Sequence, residues 1–344
     1  MCGFTITKEK IENRIKHRGV LDSNIETNYW SINFNSLPLS SYKKGIEQPF
    51  KYRDLYIVFN GEIFNYRRLD KYANCDTSYL YNIVRKYKGD INRIYKESLK
   101  WDGFWSIAII KNDDVYFFTD PLGKKQLYFN HQGISSEIKS FDDKGFYQAY
   151  TERNFGTINT NFDKVYRALP GRLYNYLKED RIANNISNLN YLYNDSYNNL
   201  YDIIETSVND RLENRYDDFS LLLSGGLDSN IILHHLLKHK KDIDIVSIDN
   251  NERENIEKIQ NDNNIDVNYI SAEYSVDDFN KAIYSYEHSL DYGSLMPNFL
   301  LFKNCKNSLV LTGDGADELF SGYNRSLKND TWDYDVLKEL PYYH

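Results

Sequence analysis

The chain has 344 residues, long enough for two hydrophobic cores, with 27% charged residues and a formal net charge of −8. That balance offers no basic surface for nucleic acid. No uninterrupted run of about twenty apolar residues and no signal-like segment argues for export or membrane insertion. The three cysteines, Cys2, Cys75 and Cys305, form no framework spacing, so a reducing, cytoplasmic setting is expected.

The chain opens Met1-Cys2-Gly3-Phe4. Once the initiator is trimmed, Cys2 carries a thiol and a free α-amine on one residue, and the amine can take the thiol proton as in N-terminal nucleophiles. Alternatively Cys2 is an ordinary small apolar residue. Alternating or apolar runs predict strands at Tyr29 to Phe34 and Leu55 to Phe59. The second runs into Asn60-Gly61-Glu62-Ile63-Phe64-Asn65. Asn-Gly alone reads as a tight hairpin turn, but beside a thiol nucleophile the Asn60 amide and the Gly61 N–H make a reasonable oxyanion hole. Leu80, Ile83, Val84 and Tyr87 fall at helical spacing as a core-facing stripe. Strands follow at Trp105 to Ile110 and Val115 to Thr119, joined by a hairpin turn over Lys111 to Asp114. This mixture predicts two antiparallel sheets flanked by helices.

The Asn-rich tract 181–199 has weak periodicity and reads as a linker between residues 2–180 and 200–344. Beyond it a helix is expected over Tyr201 to Leu212 and a buried strand over Phe219 to Leu223. The strand breaks into Ser224-Gly225-Gly226-Leu227-Asp228-Ser229 before a helix over Ile231 to Lys238. The two glycines admit close backbone approach to a ligand, and a helix start favours an anion. Ser224 and Ser229 add hydroxyls for phosphate oxygens, and Asp228 adds a carboxylate for Mg2+. The alternative is a structural Gly-Gly turn. The spacing is not that of the common NTPase loop, since no Gly-Lys-Ser/Thr follows. Further strands at Ile243 to Ile248 and Leu309 to Thr312 alternate with charged helices at Glu252 to Ile259 and Phe279 to Glu287, which predicts a parallel sheet. Ser224, Ile248 and Gly313 then fall at strand carboxyl ends, where ligands gather in such sheets. The last strand ends in an acidic turn, Gly313-Asp314-Gly315-Ala316-Asp317-Glu318, whose carboxylates repel one another unless a cation sits among them.

The nucleotide loop resembles that of ATP pyrophosphatases. With Cys2, Asn60-Gly61-Glu62, His17-Arg18-Gly19, Gln48-Pro49, Asp76, Asp120-Pro121-Leu122-Gly123, Ser136-Glu137-Ile138-Lys139 and Leu169-Pro170-Gly171, the chain resembles the glutamine-dependent asparagine synthetases. The resemblance implies an α+β N-terminal-nucleophile αββα sandwich of the class II amidotransferase kind over residues 2–180. An α/β parallel-sheet ATP-pyrophosphatase domain over 200–344 would follow. It implies that Cys2 attacks glutamine, that Asn60 and Gly61 hold the oxyanion, and that Glu62 and Asp76 receive the α-ammonium. It also implies that Ser224, Gly225, Gly226, Leu227, Asp228 and Ser229 bind the pyrophosphate of ATP. Leu222, Ile248, Thr312 and Gly313 would line the adenosine pocket, Asp228 and Asp317 would hold Mg2+, and Asp314 would be catalytic in place of a more usual glutamate. Aspartate is the implied acceptor, another carboxylate or a degenerate nucleotide-binding regulatory role being the alternatives.

Several positions depart from the family pattern. Ser36-Leu37-Pro38-Leu39 stands where Arg-Leu-Ser-Ile is usual, so the arginine that clamps the glutamine carboxylate is missing and glutamine binding should weaken unless another cation substitutes. Val20-Leu21 replaces Pro-Asp, Cys75-Asp76-Thr77-Ser78 replaces Ser-Asp-x-Glu, and Thr119 replaces an arginine. Family members continue past the Ser-Gly-Tyr segment into helices that supply a lysine. The stretch Asp335 to His344 reads as the start of that region, so a domain incomplete at its C-terminus is expected: a truncated copy, a fragment, or a site completed by a second chain, with a homodimer as the other partner expectation.

Overall fold

The computed structural model describes residues 2–37, 47–142, 145–146, 158–177, 199–212, 219–239, 243–287, 292–320 and 322. The expected linker, but for its last residue, and the segment 335–344 lie outside the described residues, as do Pro38 and Leu39. The described residues fall into two compact units, one made of residues up to 177 and the other of residues from 199 onward.

In the first unit the strands are β1 (Gly3–Thr7), β2 (Leu21–Glu26), β3 (Ser31–Ser36), β4 (Phe50–Tyr52), β5 (Leu55–Ile63), β6 (Gly103–Lys111), β7 (Asp114–Thr119), β8 (Tyr128–Asn130) and β9 (Gly133–Ser135). Two-residue strands β10 (Gly145–Phe146), β11 (Phe162–Asp163), β12 (Tyr166–Arg167) and β13 (Tyr174–Asn175) follow. One sheet runs β12-β8-β9-β1-β3-β2 and a second runs β13-β7-β6-β5-β4, with every pairing antiparallel. Period-two alternation decides which side chains meet. Phe4, Ile6, Ile32 and Phe34 of the first sheet pack against Val58, Ala108, Ile110, Val115 and Phe117 of the second. The opposite face of the second sheet, Ile57, Phe59, Ile107, Ile109 and Phe118, is covered by α2 (Asp76–Lys86) and α3 (Ile91–Ser98), which follow the single turn α1 (Tyr66–Leu69). Tyr79, Leu80, Ile83 and Val84 form the buried stripe of α2, as the helical spacing predicts, and Tyr87 caps its end half-buried. Burial of aromatic and branched side chains on both faces matches the apolar runs Leu55–Phe59 and Ile107–Ile110 within β5 and β6.

The second unit holds α4 (Leu200–Leu212), β14 (Phe219–Leu222), α5 (Leu227–Leu237), β15 (Asp244–Ile248), α6 (Arg253–Asn263), β16 (Asn268–Ile270), α7 (Val276–Tyr286), α8 (Tyr292–Asn304), β17 (Leu309–Leu311) and α9 (Ala316–Phe320). Its sheet is parallel throughout, in the order β16-β15-β14-β17. Leu221, Leu223 and Ile245 face Val208, Leu233, Leu236 and Ile256 on one side, while Leu222, Val246 and Ile270 face Leu300 on the other. Covering both faces explains the apolar run from Leu221 to Leu223. Among the described residues no helix is long and apolar enough to cross a membrane.

Candidate active sites

In the first unit Cys2 stands immediately before β1. Its Sγ lies 3.7 Å from Ser36 Oγ and accepts the Leu37 N–H at 3.4 Å, and its carbonyl accepts Arg18 Nε at 3.0 Å. Arg18 Nη1 in turn meets Glu137 at 2.7 Å, which Lys139 Nζ reaches at 2.8 Å and His17 Nε2 at 3.0 Å. Burial would push the Glu137 carboxyl up, but His17, then Arg18 and Lys139, outweigh it and hold the group at about 2. Ser136 Oγ accepts the Phe4 N–H at 3.0 Å. The His17-Arg18 and Ser136-to-Lys139 motifs thus converge behind Cys2 as an anchored charge cluster.

Asn60, Gly61 and Glu62 lie within β5 and pair with Ser106, Trp105 and Phe104 of β6, so the tight-turn alternative for Asn60-Gly61 is wrong. Sheet pairing overrides the local turn preference because both flanking runs find partners across the full length of β6. Gly61 has φ +152°, and a Cβ there would lie 2.1 Å from the Phe104 carbonyl oxygen. Asn60 is 1% exposed, and its Nδ2 has no hydrogen-bond partner. A buried amide donor left unpaired costs about 1–3 kcal/mol, which a ligand oxygen can recover. Asp76 opens α2 and accepts from Ile63 N at 3.4 Å and Thr77 N at 2.7 Å, which sets its carboxylate at the end of β5.

The Asp120 turn lies under this strand pair. Its buried carboxylate accepts from the backbone N–H groups of Trp105, Leu122, Lys124 and Lys125 at 3.0–3.2 Å, and its carbonyl accepts from Gly171 N at 2.9 Å. Burial pushes this carboxyl up, with the Lys125, Lys124 and Trp105 amides opposing. The turn delivers Lys125, which sequence reasoning missed. Lys125 is 8% exposed, and burial, then Arg18, push its amine down to about 8 against the opposing influence of Glu62, Cys2 and Asp120. Sequence carries no local signal for it, because Lys125 lies in an irregular segment ahead of β8 and follows another lysine, Lys124.

In the second unit α5 starts at Leu227, four residues earlier than expected, so Asp228 and Ser229 occupy its first turn and Gly226 is its N-cap. Gly225 adopts φ +82°. Ser224 and Ser229 hydroxyls lie 3.1 Å apart, Ser229 Oγ accepts the Ser224 N–H at 3.2 Å, and Ser224 Oγ accepts the Gly226 N–H at 3.3 Å. The turn closes on itself around the helix N-terminus, where unpaired N–H groups and the helix dipole favour an anion. Gly313, after β17, abuts this turn: a Cβ on it would lie 2.9 Å from Ser229 N and 3.0 Å from Asp228 Cβ. Two of the strand ends predicted to carry the site therefore touch. Leu222 and Ile248 share one apolar cluster beside them. The Asp314 N–H reaches Thr312 Oγ1 at 3.4 Å, its side chain is exposed, and after burial it is the group that pushes the Tyr286 phenol up. Asp317 lies in α9 and its carbonyl accepts the Gly322 N–H at 3.0 Å.

A family model for a glutamine amidotransferase domain matches residues 37–143, and one for asparagine synthase matches residues 199–341. The two stretches are thus similar in turn to a glutamine amidotransferase domain and to asparagine synthase. Asparagine synthetase [glutamine-hydrolyzing] 1 of Bacillus subtilis (strain 168) is 26% identical over 391 residues, covering 94% of this chain and 59% of that protein. The putative asparagine synthetase [glutamine-hydrolyzing] 2 of Methanocaldococcus jannaschii is 25% identical over 415 residues, covering 99% and 79%. The chain thus spans 59% of the length of the Bacillus relative. Among solved structures, the glutamine phosphoribosylpyrophosphate amidotransferase of B. subtilis, complexed with ADP and GMP, aligns at TM-score 0.39 and 13% identity over 79% of this chain and 81% of that one.

Proposed function

We propose that this chain is a glutamine-dependent ligase that converts the aspartate side chain to asparagine at the expense of ATP. The observation that carries the reading is the buried Asn60 Nδ2, without a hydrogen-bond partner beside Gly61, in a unit where the buried Lys125 feels both Cys2 and Glu62. After removal of Met1, the α-amine of Cys2 takes the thiol proton and the sulfur attacks the glutamine carboxamide. Asn60 Nδ2 and the Gly61 N–H hold the oxyanion, the C–N bond breaks, ammonia leaves and water releases glutamate from the thioester. Glu62 and Asp76 receive the substrate α-ammonium.

In the other unit the Ser224-to-Ser229 turn binds the pyrophosphate of ATP, while Leu222, Ile248, Thr312 and Gly313 line the adenosine pocket. Asp314 acts at the reacting carboxylate in this reading. The aspartate carboxylate attacks the α-phosphorus, pyrophosphate leaves, and ammonia displaces AMP from the acyl adenylate. Asp228 and Asp317 would hold Mg2+. An all-oxygen donor set of two carboxylates, one in the first turn of α5 and one in α9, suits an ion that completes its shell with water and phosphate oxygens, and when bound it would neutralise phosphate charge. The test follows AMP, pyrophosphate and asparagine from purified protein given ATP, Mg2+ and aspartate, with glutamine or ammonia as donor. AMP and asparagine in equal amounts are expected, and the absence of AMP with both donors would sink the synthetase reading.

A further inference from the structure

The first unit lacks an arginine at Ser36 but holds a buried cation elsewhere. Lys125 is pinned at its backbone by Asp120, whose carboxylate accepts its N–H at 3.1 Å, and its Nζ lies 4.7 Å from the centroid of the Phe104 ring. Phe104 is the cross-strand partner of Glu62, and its carbonyl occupies the space beside Gly61. Directly paired residues of neighbouring strands project to the same face, so the Lys125 ammonium stands beside the Asn60-to-Glu62 segment. Among the described residues, the charged and titratable groups acting on it include Arg18 on the turn after Ile15, Glu62 on β5, Cys2 just before β1, and Asp120 just after β7.

An α-amino acid carries an ammonium and a carboxylate on one carbon, so its receptor needs an anion and a cation close together. Glu62 and Lys125 are such a pair, in the unit that contains Cys2. We propose that Lys125 binds the α-carboxylate of glutamine and is the specificity-determining cation of the amidohydrolase pocket, doing from the Asp120 turn what an arginine at position 36 would do. This rests on the reading of Cys2 as the glutamine-attacking nucleophile. The electrostatics agree. Burial and Arg18 together outweigh the anions already around Lys125, so a further carboxylate stabilises its charged form. The amine is charged below about pH 8 and neutral above it, so glutamine affinity falls as pH rises through 8.

The test is steady-state glutamine hydrolysis with L-glutamine and L-glutaminamide, whose carboxylate is replaced by a neutral amide, in the wild type, Lys125→Met and Lys125→Arg. Wild type should prefer glutamine by about thirtyfold in KM, the size of one charge-assisted hydrogen bond. Lys125→Met should raise KM for glutamine by about thirtyfold with kcat and the glutaminamide KM changed less than about threefold, and Lys125→Arg should restore the preference and keep it above pH 8. Equal KM increases for both substrates, or a wild type that does not distinguish them, overturns the proposal. A measurement on wild type alone covers a Lys125→Met protein that fails to fold: in 13C-lysine NMR, the Lys125 signal, assigned by its loss in Lys125→Arg, should have its titration midpoint raised by glutamine and not by glutaminamide. No shift overturns the proposal. A wild type that hydrolyses glutamine while Lys125→Met keeps the preference removes only the Lys125 assignment, whereas a wild type that neither binds nor hydrolyses glutamine removes the Cys2 reading as well.

Discussion

Replacing Glu137 with Gln removes the one negative charge on which Arg18, Lys139 and His17 converge. Glu137 is 5% exposed, so solvent screens this cluster little. Its carboxyl is held at about 2 against an ordinary 4.5, a difference that corresponds to about 3 kcal/mol of folding free energy. The folded value lies below the unfolded one, so the contribution is complete above about pH 4.5 and is lost as pH falls toward 2. Urea unfolding followed by tryptophan fluorescence reads it, because Trp30, Trp101 and Trp105 all belong to this unit. The wild type should exceed Glu137→Gln by about 3 kcal/mol at pH 7, with the gap narrowing below pH 4.5. A gap that stays constant from pH 7 to 3, or one under about 1 kcal/mol at pH 7, refutes the reasoning. Arg18 also donates to the Cys2 carbonyl, so the same variant should lose glutamine hydrolysis in proportion to the freed motion of the thiol-bearing segment.

Gly61→Ala places a methyl 2.1 Å from the Phe104 carbonyl at a φ of +152°, so it should destabilise the first unit by about 2–4 kcal/mol and lower its thermal midpoint measurably. Cys2→Ala should abolish glutamine-dependent asparagine formation while leaving the ammonia-dependent rate within about twofold, read by product chromatography. Asp228→Asn keeps the size of the side chain at the first turn of α5 but removes its charge. AMP formation should then fall by two or more orders of magnitude with either donor while glutamine hydrolysis continues, and retained AMP formation would remove Asp228 from the metal assignment.

Elements with one dominant pattern were readable from sequence. The apolar runs at Leu55 to Phe59 and Phe219 to Leu223 became β5 and β14 because each is buried on both faces, and the α2 stripe became a helix because its apolar residues fall on one side. Strands β1 and β2 escaped because their alternation includes threonine, serine and asparagine. Thr5 and Thr7 are fully buried, and the Thr5 hydroxyl accepts from Asn33 Nδ2 at 2.9 Å. Polar residues satisfied across a sheet look exposed in a hydropathy reading. Strand β16 escaped because only three residues pair with β15.

The candidate sites divide along the same line. Residues that act through their own loop, such as Ser224, Gly225 and Ser229, carry their chemistry in contiguous sequence, since the loop's hydrogen bonds close within six residues. Lys125 acts across the sheet, 63 positions from Glu62, and nothing local distinguishes it from the adjacent Lys124. Only the pairing of Phe104 with Glu62 and the Asp120 hydrogen bonds place its ammonium where a zwitterion can be read. A missing arginine at position 36 is therefore weak evidence against glutamine binding. The function of a charge depends on where its nitrogen stands, and a turn on another strand can deliver it to the same pocket.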